Sequence, residues 1–512
     1  MALRLLELEQ AVSASVSISV ARKAARLALP ALLSMLAACT VGPNFKPPQT
    51  PAPRSYAAAG ERDLEAGGIS EAGQRVSLGK QPAGPWWNAF KSAELDRTIA
   101  LALAGNRNLE SARANLAAAE EAVAAAAGGE LPQASAAASA AREKLNAQSF
   151  GLKQPIPRFN LYSIGPAVSF DLDLFGGTRR LVEEKAALAE VADDRLAAAR
   201  LALAGNVATQ AFAVATARAE IATVQQILKD DAENLKLVRG AFSAGAVTQV
   251  DVLSAESQLA NDRTLLPPLD QRLAVARHAL SILVGQAPAD WAPPAFDFDR
   301  IALPQDLPLS LPSALAHDRP DIRAAEAELH AATAEIGVAT ARLYPDVNLT
   351  ASLGQTANVF GHLFDGANTV WSLATGLTAP IFTGGTLEAE KRGAEDKREA
   401  AYAAYQEVVL QSFGQVADRL EALAHDGVLL EENERAADIA AASLKLTRVS
   451  YNAGNTGILQ VLDAERASNE ARLGTVRARA ELYRDTAELF LALGGTVPAP
   501  TTPAAPEASA KP

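Results

Sequence analysis

The chain has 512 residues, 49% of them hydrophobic, a net charge of −12 and a single cysteine. That is ample for a core, lacks the basic footprint nucleic acid requires, and excludes an intrachain disulfide. The five histidines are scattered without metal-ligand spacing, and no nucleophile elbow, HExxH pair or phosphate loop with its lysine occurs. No enzyme, metal or cofactor is therefore expected. Gly176-Gly177 and Gly384-Gly385 read as plain turns, and pairs such as Glu183-Glu184 and Glu431-Glu432 as solvated helix faces.

In chain order, Arg22, Lys23 and Arg26 precede an apolar run from Leu27 to Ala38, the layout of a signal peptide. Further on, no run of about 18 apolar residues predicts a spanning helix. The run ends in Leu36-Ala37-Ala38-Cys39, which resembles a bacterial lipoprotein signal with Cys39 as the lipidated first residue. The bland alternative is a short buried helix with an ordinary cysteine, but the only cysteine stands at the one place a lipid anchor would use. Thr40 follows it, not Asp, which by resemblance favours outer-membrane sorting. Residues 1–38 are read as leader and 39–84, rich in Pro, Gly and Ala, as a lipid-anchored extended linker.

Trp86-Trp87 open a first repeat over 85–285. A helix is predicted from about Ala93 to Ala127, stopped by Gly128-Gly129 and Pro132. In 162–174, Tyr162, Ile164, Val168, Phe170, Leu172 and Leu174 alternate with small or polar residues. The same holds at 347–354 and 370–379, and weakly at 133–144. This period over about ten residues suits a transmembrane β-strand, apolar outward and polar toward a lumen. A soluble half-buried strand alternates likewise; the leader and the anchor tip the reading toward a membrane.

Thr178 to Ala241 is a helical pattern of about 64 residues, roughly 96 Å at 1.5 Å per residue. Then comes a sharp turn, FSAGAVTQVDVLSAE at 242–256, whose copy is YNAGNTGILQVLDAE at 451–465. Gly245 and Gly454 suit a left-handed helix end, so both read as helical hairpin tips. A helix over 248–284 should kink at Pro267-Pro268. Residues 286–313 are a Pro-rich crossover, 314–495 the second repeat, and 496–512 a disordered tail. Pro132 and Pro345 stand 213 positions apart, Gly176 and Gly384 208, and both Gly245/Gly454 and Gly285/Gly494 209. Nearly constant offsets mean one duplicated unit: helix, two strands, long helix, tip, shorter helix. The fold is thus mainly α with a small β part.

Four strands cannot close a barrel in lipid, because open edges leave backbone groups unpaired. The chain must share a barrel with copies of itself.

Cys39 followed by VGPNFKPP, then Trp86-Trp87 and Phe90, resembles the TolC-like outer-membrane efflux factors, in their NodT or OprM-type lipoprotein branch. RPDIRAAEAELHAA at 319–332 and the tip at 451–465 are similar to two further signatures of that branch. The resemblance implies a homotrimer: an α-helical barrel in the periplasm continued by a twelve-stranded outer-membrane β-barrel, four strands per chain. It implies the exit duct of a tripartite efflux pump, joined by a periplasmic adaptor and an inner-membrane RND transporter. A duct for protein secretion and a poreless lipid-anchored scaffold stand as rivals.

Two sets of residues follow. Gly245, Ala246 and Val247 with Gly454, Asn455, Thr456, Gly457 and Ile458 are expected as exposed tip residues that dock the adaptor; plain turn chemistry is the alternative. Asp251, Tyr451 and Asp463 are expected at a periplasmic gate, with Tyr451 bonded to Asp251 of the neighbouring repeat and rings of Asp selecting cations. The resemblance implies an aspartate at the place of Asp463, while Gln460 departs where some members carry a second. Thr248 and Asp251 also have capping-box spacing, which competes with a gate role.

Overall fold

The computed structural model describes residues 40–49, 53, 55–56, 73–80, 84–146, 151, 153–154 and 157–497. The leader, Cys39 and the tail beyond 497 lie outside the described residues, and so do the expectations made of them. The described chain runs β1 (Arg75–Leu78), α1 (Ala93–Gly105), α2 (Arg107–Gly128), β2 (Gln133–Glu143), β3 (Phe159–Asp171) and α3 (Gly177–Ser243). Then come α4 (Gln249–Arg263), α5 (Leu266–Leu283), β4 (Asp306–Leu309), α6 (Pro312–Asp318) and α7 (Pro320–Ala341). β5 (Asp346–Ala357), β6 (Thr369–Thr378), α8 (Thr386–Asn452) and α9 (Ile458–Ala492) complete it.

The duplication reaches down to single bonds. The long helices α3 and α8 have 67 residues each. α3 ends with Gly245 at φ 73°, Gly245 N–H on Phe242 O and Ala246 N–H on Ala241 O, both at 2.9 Å. α8 ends with Gly454 at φ 77°, Gly454 N–H on Tyr451 O and Asn455 N–H on Ser450 O, again both at 2.9 Å. This is the Schellman closure, in which a residue without Cβ takes the left-handed turn and two orphan carbonyls are satisfied. The break before α5 falls at Thr264-Leu265, where Pro267 and Pro268 lack the N–H groups that would continue the ladder.

The helix expected over 93–127 is divided. Asn106 is extended at φ −69°, ψ 127°, and its Oδ1 accepts from Leu109 N at 3.1 Å, capping α2. Its Nδ2 donates to Leu283 O at 2.9 Å. Between α6 and α7 Arg319 is likewise extended, at φ −77°, ψ 124°, and its guanidinium donates to Ala492 O at 2.9 Å. A side chain that caps one helix and ties down the end of another outweighs the propensity to run straight on.

The described residues fall into two compact units, one within 40–47, 117–191 and 326–403, the other within 48–116, 192–325 and 404–497. The first holds the sheet of β2, β3, β5 and β6. The second holds an aromatic core in which Trp86 stacks on Phe490, ring centroids 5.9 Å apart, and Phe90 meets Phe212 at 5.1 Å. Each such buried ring contributes about 1.5–3 kcal/mol. Part of the segment expected as an extended linker, 39–84, packs on the crossover: β1 pairs in parallel with β4, and Tyr56 Oη donates to Ser310 O at 3.0 Å. Four residues per strand carry too little pattern to announce that pairing.

Candidate functional site

The four-stranded sheet has the order β2-β3-β5-β6, every pair antiparallel. Residues directly opposite share a face. One face carries Ile164, Val168 and Phe170 of β3, Leu349, Ala351 and Leu353 of β5, and Trp371, Leu373 and Leu377 of β6, beside alternate alanines of β2. It is uncovered: Trp371 is 76% and Leu373 75% exposed. The other face carries Ser135, Ser139, Ser163, Ser169, Thr350, Ser352 and Ser372. Ser139 and Ser163 Oγ are 2.8 Å apart, and Ser352 and Ser372 Oγ 2.7 Å, one such bond in each repeat. β3 and β5 join the repeats, while β2 and β6 each have a partner on one side only. An apolar face beside a polar one, on strands of this length, is the pattern of a membrane barrel wall.

In the same unit the segment after Cys39 is fastened to α3 and α7. Val41 N–H donates to Phe175 O at 3.1 Å, and Phe45 stacks on His330 with centroids 4.4 Å apart. The guanidinium of Arg180 reaches Val41 O at 3.2 Å, Asn44 Oδ1 at 2.7 Å and Glu183 at 2.6 Å. Burial raises the Glu183 carboxyl, but hydrogen bonds from Arg180 and His330 outweigh it and hold it below the usual value. Sequence reasoning missed this lock, since its parts stand some 140 to 290 positions apart.

At the tips, Leu235, Val238, Val252, Ala255, Leu259, Ile458, Val461 and Leu462 form one buried cluster from α3, α4 and α9, with Val247, Leu444 and Tyr451 packed against it. Gly245, Ala246, Gly454, Asn455 and Gly457 are exposed, as expected, and Thr456 is half-buried. Ile458 is not exposed: at 3% it is core, because it is the first apolar residue of α9 and faces Val252 and Ala255. Val247 is likewise half-covered.

Asp251 Oδ2 accepts from both N and Oγ1 of Thr248 at 2.8 Å, so the capping box forms. Tyr451 lies against the cluster, and among the described residues no bond joins its hydroxyl to Asp251. Asp463 is exposed and paired with Arg466. Gly457 and Gln460 stand where the first tip has Thr248 and Asp251, so α9 starts without a side-chain cap.

Directly behind the cluster lies a buried acidic layer that the sequence reading did not single out. Glu465, 2% exposed, accepts from Asn234 Nδ2 at 2.9 Å and from Arg448 at 2.7 Å. Burial raises its carboxyl, with Arg448 opposing. Asp231, 4% exposed, faces Asp262, which accepts from Gln258 Nε2 at 2.8 Å. Burial first, then the hydrogen-bonded Asp262 carboxyl, pushes Asp231 up to about 8. The recurring Arg and Glu were a signal: Arg239–Glu256 at 2.6 Å and Arg448–Glu465 at 2.7 Å are one pair repeated 209 positions on. A second acid pair, Asp426 with Asp485, raises Asp426 to about 7, burial again leading.

Comparison with known proteins agrees with this geometry. The family model described as "Outer membrane efflux protein" matches residues 98–286 and 311–495. The outer membrane protein OprJ of Pseudomonas aeruginosa is 30% identical over 465 residues, 90% of this chain and 93% of that one. The solvent efflux pump outer membrane protein SrpC of Pseudomonas putida is 30% identical over 334 residues, 65% of this chain and 71% of its own. The solved outer-membrane channel OprN has a TM-score of 0.82 at 30% identity, covering 90% of this chain and 99% of that one. The chain belongs to the outer membrane efflux protein family. It is a TolC-like efflux channel of the outer membrane and not an enzyme.

Proposed function

We propose that three copies close one twelve-stranded outer-membrane barrel and act as the exit duct of a tripartite RND-type pump, releasing small molecules outside the cell. The observation that carries this reading is the sheet: four strands, two free edges and one uncovered apolar face. Such edges in lipid leave backbone groups unpaired, at several kcal/mol each, and single-chain barrels start at about eight strands. A periplasmic adaptor meets the exposed turns around Gly245-Ala246 and Gly454-Asn455, and an inner-membrane RND transporter supplies the cargo. Cys39 carries the lipid anchor. Asp463, exposed and one per chain, makes a ring of three carboxylates at the gate, with Asp251 and Tyr451 beside it. The purified full chain in detergent should have the mass of a trimer and conduct ions across a planar bilayer. A folded monomer without conductance would overturn the reading.

A further inference from the structure

The acidic layer behind the tips does something packing alone does not require. Asp231 on α3 is buried, and its Oδ2 meets no donor. Across the α3–α4 seam, one helical turn beyond Leu235 and Leu259 of the buried cluster, its carboxyl neighbour is Asp262 on α4, which takes a hydrogen bond from Gln258 but has none to give when ionised. Two carboxyl groups can bond to each other only when one holds a proton. The charged groups facing this pair are Asp230 on α3, Glu465 and Arg472 on α9, and, through Glu465, Arg448 on α8. Both cations are already engaged: Arg448 bonds Glu465 at 2.7 Å and Arg472 lies 3.6 Å from Asp230. Among the described residues, the groups acting on this pair add negative charge only, and neither arginine is bonded to it.

We propose that Asp231 and Asp262 are a proton-operated clasp between α3 and α4, closed while they share one proton and opened when both ionise. The clasp rests on the reading of the tips as the periplasmic mouth of the duct, and makes that mouth sensitive to periplasmic pH. The balance is simple: one proton leaves the O–H···O bridge to water, and two carboxylates remain in a poorly solvated layer.

The sign follows from linkage. The folded state binds this proton more tightly than the unfolded chain, whose Asp titrates near 3.8. Stability of the tip therefore falls as pH rises from about 4 and is lowest once the clasp has ionised. At neutral pH the pair is closed; in alkaline periplasm it parts.

The test is hydrogen exchange on the full-length protein in detergent at about pH 6 and about pH 9, corrected for intrinsic exchange. In the wild type, peptides within 228–262 should lose roughly a hundredfold of their protection at the higher pH, since about two pH units of the interval lie below the pair's titration and each is a factor of ten. Asp231→Asn keeps a permanent N–H donor toward Asp262 and should make the profile flat, and Asp262→Asn should do the same from the other side. Peptides of the aromatic core serve as the internal reference. A flat wild-type profile, or the same pH response in both Asn variants, overturns the clasp. Bilayer conductance is read separately. Absence of conductance at every pH would sink the duct reading, while the exchange data still decide the clasp.

Discussion

Arg180 shows how one side chain can hold a terminal segment in place. Its guanidinium is nearly buried and serves Val41, Gly42, Asn44 and Glu183 together. Ordering residues 40–46 costs about 1–2 kcal/mol each. The three charge-assisted bonds from Arg180 to the strap, at about 1.5–3 kcal/mol each, offset only part of that, and the Val41–Phe175 bond and the Phe45–His330 stack supply the rest. Arg180→Ala should raise exchange in 40–46 at least tenfold while α3 keeps its protection; unchanged exchange would mean that the Phe45–His330 stack suffices alone. The pH response runs opposite to that of the clasp. Glu183 lies below its ordinary 4.5, so the lock is complete above that pH and is lost as pH falls through the lowered value. VGPNF was legible as a family signature, yet its task was not. A motif states its own residues, whereas Arg180 and His330 are brought to it only by folding.

Each helical tip combines a turn that its sequence determines with a start that it does not. Glycine at 245 and 454 forces both turns, and both were legible for that reason. The helix starts differ: Thr248 and Asp251 cap α4, whereas Gly457 and Gln460 leave α9 uncapped. Gly457→Thr together with Gln460→Asp should transplant the box and stabilise the first turn of α9 by about 1 kcal/mol. Slower exchange in 458–462 is the expected sign, and no change would show that the Ile458 contacts already hold that turn. Ile458 itself is unsuited to a docking test, because a charge there enters the buried cluster and unfolds the tip. Ala246→Glu is exposed and should reduce efflux with the trimer intact; unchanged drug susceptibility would remove Ala246 from the adaptor surface. Ile458 was misplaced because turn position alone says nothing about which side of a helix meets the neighbouring one.

For the whole molecule, period-2 patterning made the sheet legible, and constant offsets made the duplication legible. The short β1–β4 pair and the acidic layer were not, since both depend on contacts between distant segments. The same duplication also predicts a contact outside the chain. Ser139 and Ser352 are equivalent, as are Ser163 and Ser372, each pair forming the same cross-strand bond. Inside the chain the repeats join through β3 and β5, where Val168 faces Ala351. Carrying that joint forward by the same offsets sets β6 against β2 of the next copy, with Leu377 opposite Ala138. The parity is right, for both residues lie on the apolar face of their own sheet. A slip of one residue would turn the apolar row of one copy into the lumen. Facing pairs have Cα atoms about 4.5–5.5 Å apart, within disulfide reach, while a shift of two residues gives about 7–8 Å. In a Cys39→Ser background, Leu377→Cys with Ala138→Cys should crosslink into dimers and trimers on oxidation. Leu377→Cys with Ala140→Cys should not. If the shifted pair crosslinks and the matched pair stays free, the joint between copies departs from the joint between repeats, even though the barrel closes.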